Sequence, residues 1–240
     1  MLHRIESWRG LQIFNLDKAL VSDIVQSAAY LALSFVLNFY AGTFASQHAS
    51  NSVTDILLDN LPVVNVDLVF VEGALLLWLF VGLLLLQRPE RAPFLFKSMA
   101  LFVLVRSAFI VLTHLGPFPE RSALDPSEVL RLFTFGADLF FSGHTGAPFL
   151  LALMFWKSPR LRAIFLAASG VFAVSVLLGH LHYSIDVFAA FFISYGTFDL
   201  AKVLFPREQI LFDRARLPWI LPEPAAGPAA ALQSAPVRIE

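Results

Sequence analysis

Six long apolar stretches constrain the fold of this 240-residue chain more than any other feature of its sequence. They fall at roughly 19–42, 67–86, 94–115, 135–156, 161–181 and 185–205. Each is close to the ~20 residues that a helix needs to cross the hydrocarbon core of a bilayer. Only 15% of the residues are charged, whereas soluble domains average about 25%. The sequence therefore predicts an integral membrane protein.

The apolar stretches are continuous and do not alternate with polar residues, which disfavours a transmembrane β-barrel. Backbone exposed to lipid must satisfy its own hydrogen bonds, as it does in a helix. We therefore expect an all-α, polytopic bundle of six transmembrane helices at 19–206. Residues 1–18 would be a cytoplasmic segment, either an interfacial helix or an irregular lead-in, and 207–240 a cytoplasmic, mostly disordered tail.

Positive charge alternates between successive connections. Basic residues cluster before the first stretch, from the end of the second into the start of the third, from the end of the fourth into the start of the fifth, and after the sixth: Arg4, Arg9, Lys18, Arg88, Arg91, Lys97, Lys157, Arg160, Arg162, Arg207, Arg214, Arg216 and Arg238. The remaining connections hold only Arg121 and Arg131. The positive-inside rule then predicts cytoplasmic termini. The net charge of −1 suggests no nucleic-acid partner.

Two polar motifs lie beside the later stretches, on the side predicted to face away from the cytoplasm: Ser142-Gly143-His144-Thr145 and His182-Tyr183-Ser184-Ile185-Asp186. Ionisable residues at a membrane span are costly and usually functional. The spacing of His182 and Asp186 puts both on one face of a helix, where the carboxylate can orient the imidazole for attack on phosphorus. His144 can protonate the leaving oxygen, and the hydroxyls of Ser142 and Thr145 suit phosphate oxygens. The alternative is a set of polar interface residues and a helix start.

Arg106 is a cation near the middle of the third stretch, and such a residue must face a cavity or a partner. We expect it either to bind the phosphate or to pair with Glu72. Asp138, His180 and Tyr183 are candidates for supporting roles, although His180 can equally be a polar neighbour of the second motif. The chain has no cysteine, which excludes thiol nucleophiles and cysteine metal sites. With no second acidic cluster of the kind that hard cations use, we expect neither a metal nor another cofactor.

These motifs resemble those of the sphingomyelin synthase family, within the wider superfamily related to type 2 phosphatidic acid phosphatases. Positions 136–145 match the family's C-G-D-x-x-x-S-G-H-T in its Asp, Ser, Gly, His and Thr, but not in its leading Cys-Gly. Positions 182–187 match H-Y-[ST]-x-D-V throughout. Positions 104–113 are similar to the L-R-S-x-x-x-x-x-T segment. The resemblance covers roughly 55–205 and is strong only in 104–187.

The resemblance implies a catalytic triad of His144, His182 and Asp186, with His182 as the nucleophile and His144 as the general acid. It implies transfer of phosphocholine or phosphoethanolamine from a glycerophospholipid to a ceramide- or diacylglycerol-like alcohol, through a phosphohistidine and without a metal. The partners would be these lipids and the bilayer; no oligomeric state is indicated. The family's P-P-L-P-D motif is at best faint at Leu61-Pro62, which leaves the acceptor open.

Two other functions remain as alternatives. A lipid phosphate phosphatase or a phospholipase C-type hydrolase would use the same triad with water as the acceptor. The phosphatase signature K-x-x-x-x-x-x-R-P is absent, and this absence favours the transferase. A non-enzymatic transporter or receptor would use the histidines in a proton or ligand path, and the two contiguous motifs argue against it.

Overall fold

The computed structural model describes residues 17–122 and 140–215, which form helices and turns without any strand. The helices are α1 (Lys18–Gln47), α2 (Gly73–Gln87), α3 (Ala92–Leu112), α4 (Gly143–Met154), α5 (Pro159–Leu178), α6 (Ser184–Leu204) and α7 (Pro206–Arg214). A π-helical turn at Leu68–Glu72 leads into α2, and 3₁₀ turns lie at Leu58–Asn60 and Pro89–Arg91. The prediction of an all-α, polytopic membrane protein is confirmed.

Five helical segments of the described chain are long and apolar enough to cross a bilayer: Lys18–Gln47, Leu68–Gln87, Pro89–Leu112, Pro159–Leu178 and Ser184–Leu204. They correspond to five of the six predicted spans. The first is the one that differs most in length, since it continues to Gln47 and the sequence predicted an end at position 42.

The fourth predicted span differs from its expectation. Its described part, α4, begins only at Gly143 and has 12 residues, or about 18 Å at 1.5 Å per residue, against a hydrocarbon core of about 30 Å. Ser142 sets this start, because its Oγ accepts a hydrogen bond from the N–H of Thr145 at 3.3 Å and so acts as an N-cap. The start of the predicted span, within 123–139, lies outside the described residues, as do 1–16 and 216–240.

Helix α3 runs through the middle of the bundle and is the most buried of the five candidate spans. Helix α1 packs against it through a face of small residues, which lets the two backbones approach closely: Ser27, Ser34, Ala41, Gly42 and Ala45. The hydroxyls of the two serines donate to carbonyls of their own helix. This face therefore buries few polar groups without partners.

Helix α4 is held tightly against its neighbours at its first turn. Ser169 Oγ of α5 donates to the carbonyl of Thr145 at 2.8 Å, and Ser194 Oγ of α6 donates to that of Gly146 at 3.1 Å. A side chain at Gly146 would lie 2.8 Å from Ser194 Oγ and 2.9 Å from the ring of Phe102, so only glycine fits. The turn that carries His144 is thereby fixed.

The chain after α6 is more ordered at its start than predicted, because α7 occupies positions assigned to the tail. Glu208 of α7 forms a 2.6 Å ion pair with Lys97 of α3. Burial raises the pKa of Glu208, but the hydrogen bond from Lys97, a backbone hydrogen bond and the charges of Lys97 and Arg207 together outweigh burial and hold that pKa below its ordinary value. The guanidinium of Arg91 lies over the rings of Phe155 and Phe212, at 5.1 and 5.2 Å. Helix α7 is therefore docked on the bundle by charge and by aromatic packing.

Glu208→Ala is expected to lower the free energy of unfolding by about 3–5 kcal/mol, because it leaves a buried cation without its partner. The side chain of Lys97 is 10% exposed. Asp199→Ala is the control, since the Lys202–Asp199 pair is 36% and 62% exposed and such pairs contribute about 0–1 kcal/mol. Denaturant titration in detergent measures both. Because the folded pKa of Glu208 is depressed, its contribution should be present at neutral pH and disappear as the pH falls through that pKa. Equal losses in the two variants would contradict the prediction.

Candidate active site

The two histidine motifs meet where α4 and α6 begin. The N–H of Ser142 donates to the carbonyl of Asp186 at 3.2 Å, so the backbone of one motif is bonded to the backbone of the other. His182 and Arg106 both lie within electrostatic range of His144. The three predicted triad residues and the predicted phosphate-binding cation therefore lie close together.

His182 and Asp186 are neighbours, but not in the way their spacing suggested. Helix α6 begins at Ser184, so His182 precedes the helix instead of lying one turn along it. Its Nδ1 is 3.6 Å from Asp186 Oδ2, which is longer than the about 2.7–3.2 Å of an N–H···O hydrogen bond. That oxygen accepts the N–H of Tyr183 at 3.0 Å, and Asp186 Oδ1 is buried with no hydrogen-bond partner. The carboxylate can nonetheless stabilise a cationic imidazole at this distance.

Ser142 and Thr145 are bonded to each other. Thr145 Oγ1 donates to Ser142 Oγ at 3.1 Å, and the Thr145 N–H donates to the same oxygen. Both side chains are completely buried. The pair therefore builds the first turn of α4. Asp138, from the same motif, lies outside the described residues.

One face of the His144 imidazole is covered by an aromatic ring. Phe70 stacks on it with ring centroids 3.8 Å apart and planes 26° apart, and Phe172 approaches edge-on at 5.7 Å. Phe70 lies in the π-helical turn before α2, a feature that often marks functional sites. The side chain of His144 stays partly exposed, so it can meet a substrate.

Arg106 lies on α3 beside the start of α4. Its Nε donates to the carbonyl of Phe141 at 3.0 Å, and its Nη1 donates to Asn38 Oδ1 of α1 at 3.4 Å. A side chain at Gly143 would meet Arg106 Nε at 3.4 Å. Glu72, the alternative partner, is exposed and forms no ion pair with Arg106 in the described chain. The guanidinium is thus next to a helix N-terminus, where backbone N–H groups favour anions.

A family model matches part of this chain. Residues 136–203 match the model of the PAP2 superfamily C-terminal domain. This is a PAP2-like segment. It contains α4, α5 and α6 and all three triad residues, and the match supports a lipid-related phosphatase or phosphotransferase in a membrane. The searches of curated proteins and of solved structures found no match.

His180 shapes the connection between α5 and α6 of the PAP2-like segment. Its φ is 52°, in the left-handed region that is uncommon for residues other than glycine. Its N–H bonds to Leu177 O, and the next N–H, that of Leu181, bonds to Val176 O, which is the Schellman pattern of a helix C-terminus. Its Nδ1 bonds to the carbonyl of Glu120 at 2.9 Å. His180 therefore directs the chain toward His182.

Tyr183 joins α6 to two loops, the first loop (48–67) and the second loop (113–122). It is 2% exposed, and burial raises the pKa of its hydroxyl. That hydroxyl donates to the carbonyl of Gly116 at 2.8 Å and accepts the N–H of Val53 at 3.2 Å. A side chain at Gly116 would collide with the carbonyl of Ser50, so only glycine lets the two loops meet. Tyr183 thus holds the two loops against the start of α6.

Asp55, in the first loop, was not predicted from the sequence as a residue of the site. Its Oδ2 accepts the N–H of Ser184 at 2.6 Å, and its Oδ1 accepts those of Leu57 and Leu58 at 2.9 and 3.2 Å. Burial raises the pKa of Asp55, but these backbone hydrogen bonds outweigh it and hold the pKa below its ordinary value. No motif or periodicity connected this aspartate with the start of α6.

Proposed function

We propose that this PAP2-like protein is a phosphotransferase that moves phosphocholine or phosphoethanolamine from a glycerophospholipid to a ceramide- or diacylglycerol-like alcohol. A phosphohistidine on His182 would be the intermediate. The observation that carries the proposal is the backbone bond between Ser142 and Asp186, which joins the two histidine motifs. A nucleophile, a general acid and a cation then act on one phosphate.

In the first half-reaction, His182 Nε2 attacks phosphorus while Nδ1 faces Asp186. The new P–N bond forms as the P–O bond to the diacylglycerol breaks, and His144 gives its proton to the departing oxygen. The Asp186 carboxylate stabilises the positive charge that develops on His182. Arg106 and the N–H groups at the start of α4 stabilise the negative charge on the phosphoryl oxygens.

In the second half-reaction, the neutral His144 accepts the proton of the acceptor hydroxyl. The acceptor oxygen attacks phosphorus, the P–N bond breaks, and His182 is regenerated. If water enters instead of the lipid alcohol, the same steps give hydrolysis. A hydrolase is therefore the second candidate, and the superfamily match, which supports phosphatase-type chemistry in general, favours it as much as a transferase. The missing K-x-x-x-x-x-x-R-P signature supports the transferase.

The test is a transfer assay with purified protein in mixed micelles, with excess chelator present throughout. The donor is phosphatidylcholine or phosphatidylethanolamine labelled in the head group, with and without ceramide or diacylglycerol. We expect labelled product on the acceptor lipid, and no effect of the chelator. Label released into water at the same rate without acceptor would identify a hydrolase. Activity that disappears with chelator and returns with metal would contradict the metal-free triad mechanism.

We also propose that residues 19–206 form the catalytic unit, with both termini in the cytoplasm and the site open to the opposite side. Alternating positive charge supports this orientation. Helix α5, at about 30 Å for 20 residues, separates the basic turn at 157–162 from the site. Because the chain lacks cysteine, Asn60→Cys and Arg160→Cys can be labelled singly in intact cells. We expect a reagent outside the cell to label Asn60→Cys and not Arg160→Cys. If it labels only Arg160→Cys, the protein has the opposite orientation in the membrane.

A further inference from the structure

We propose that Asp55 is a positioning residue for His182. The first loop supplies its carboxylate to the start of α6, and this contact fixes the backbone that carries the nucleophile. The inference rests on the proposed function, because it assigns the nucleophile to His182. Nothing in the two histidine motifs themselves provides this contact.

The contact is made to a group that needs an acceptor. The first N–H groups of a helix have no partner within the helix, and Ser184 is the first residue of α6. Asp55 Oδ2 accepts its N–H at 2.6 Å, a short distance typical of bonds to an ionised carboxylate. A negative charge is also favourable at a helix N-terminus. Asp55 is 7% exposed, so water cannot easily replace it.

Two carboxylates hold consecutive backbone N–H groups directly after His182. Asp186 Oδ2 accepts the N–H of Tyr183, and Asp55 Oδ2 accepts that of Ser184. Asp186 belongs to α6 itself and moves with it. Asp55 comes from the first loop, 129 positions away in the chain. Of the two carboxylates, only that of Asp55 connects this backbone to a part of the protein outside α6.

That support is itself well held. Asp55 Oδ1 accepts the N–H groups of Leu57 and Leu58, the pattern of an Asx turn, and the N–H of Asp55 donates to Asp59 Oδ2 at 3.1 Å. Leu58 and Tyr183, each 2% exposed, pack in one apolar cluster. The position of the Asp55 carboxylate is therefore set by the first loop and does not depend on α6.

Loss of the contact between Asp55 and the Ser184 N–H should lower kcat and leave KM nearly unchanged, because Asp55 contacts the protein backbone and not the substrate. A displacement of about 1 Å at a reacting group can cost roughly 10²-fold in rate. We expect Asp55→Ala to lower kcat by this order of magnitude. Asp55→Asn keeps one acceptor oxygen for the Ser184 N–H, and its kcat should lie between those of wild type and Asp55→Ala.

A double-mutant cycle measures the coupling between Asp55 and Ser184. Ser184→Pro removes the N–H that Asp55 accepts and also the Ser184 side chain, which bonds to Asp55 as well. Proline is well suited to the first position of a helix. Tyr183, with φ −67° and ψ 157°, already has the backbone conformation that a following proline requires. If the contact acts through this bond, Asp55→Ala should cost much less in the Ser184→Pro background than in wild type.

The experiment measures kcat and KM for head-group transfer per folded protein, together with amide hydrogen exchange at 183–187. Asn60→Ala is the matched control, at an exposed residue of the 3₁₀ turn that follows Asp55, whose side chain donates to Ile56 O. It should behave as wild type. We expect Asp55→Ala to combine a fall in kcat with faster exchange at the start of α6.

Unchanged kcat with unchanged exchange would overturn the inference, and so would a rise in KM alone, which would indicate a substrate contact. If Asp55→Ala does not fold, Asp55→Asn and Ser184→Pro replace it in the test. Decreases in kcat that simply add when these two substitutions are combined would also overturn the inference. If wild type transfers no head group, the proposed function fails, whereas the exchange measurement still shows whether Asp55 fixes α6.

Discussion

Alanine at position 182 is expected to abolish turnover, with kcat lower by about five to six orders of magnitude, as when other enzymes lose their nucleophile. No other group in the described part of the site combines a nucleophilic nitrogen with a facing carboxylate. The intermediate should disappear as well. Head-group label bound to wild-type protein after rapid quenching should be stable in base and lost in acid, as expected of a phosphorus–nitrogen bond.

His48→Ala is the matched control for this substitution. It makes the same chemical change at an exposed histidine at the end of α1, which packs on Phe44 and His114. It should retain both turnover and the labelled intermediate. Two results would contradict a phosphohistidine on His182. One is wild-type turnover in His182→Ala, and the other is protein-bound label in that variant that is still stable in base and lost in acid.

The membrane helices could be predicted from the sequence because their signal is compositional. A run of about 20 apolar residues is long enough to span lipid wherever its neighbours lie. The start of α4 could not be placed in the same way, because the apolar run begins before the helix does. There the hydrogen bonds of Ser142 decide the first helical residue, and they outweigh the apolar residues at Phe140 and Phe141.

The residue types of the site could also be predicted, but their exact arrangement could not. The spacing of His182 and Asp186 suggested one turn of a helix, and the two residues are indeed neighbours. The helix begins at Ser184, however, and Asp186 Oδ2 serves the N–H of Tyr183. The Tyr183 N–H competes with His182 for the same carboxylate oxygen, and residue spacing does not reveal this competition. His182 Nδ1 therefore lies 3.6 Å from Asp186 Oδ2 and forms no direct hydrogen bond with it.

Contacts between distant parts of the chain could not be predicted from the sequence. The bond from Asp55 to Ser184 and that from Arg106 to Asn38 join positions 129 and 68 apart. A single sequence contains no periodicity that pairs such positions. Both contacts join predicted site residues to helices or loops outside the PAP2-like segment, so the N-terminal half of the chain helps to hold them in place.

His144→Ala should lower kcat for lipid donors by about 10²–10⁴-fold, the usual contribution of a general acid. An alkoxide from diacylglycerol is a poor leaving group and needs a proton, and His144 is the partly exposed histidine beside His182 and Arg106. The size of the loss should therefore depend on the leaving group. Nitrophenyl phosphocholine releases a stable phenolate that needs no proton, so its first half-reaction should be nearly independent of His144.

The pre-steady-state burst of nitrophenol measures that half-reaction alone, before any acceptor enters. We expect His144→Ala to keep a burst close to that of wild type and then to stall, because the acceptor hydroxyl lacks its base. His182→Ala is the control and should give no burst. Equal losses with lipid and nitrophenyl donors would contradict an acid role, because an acid acts only where the leaving oxygen needs a proton. His144 would then contribute by holding the phosphate, as Arg106 is proposed to do.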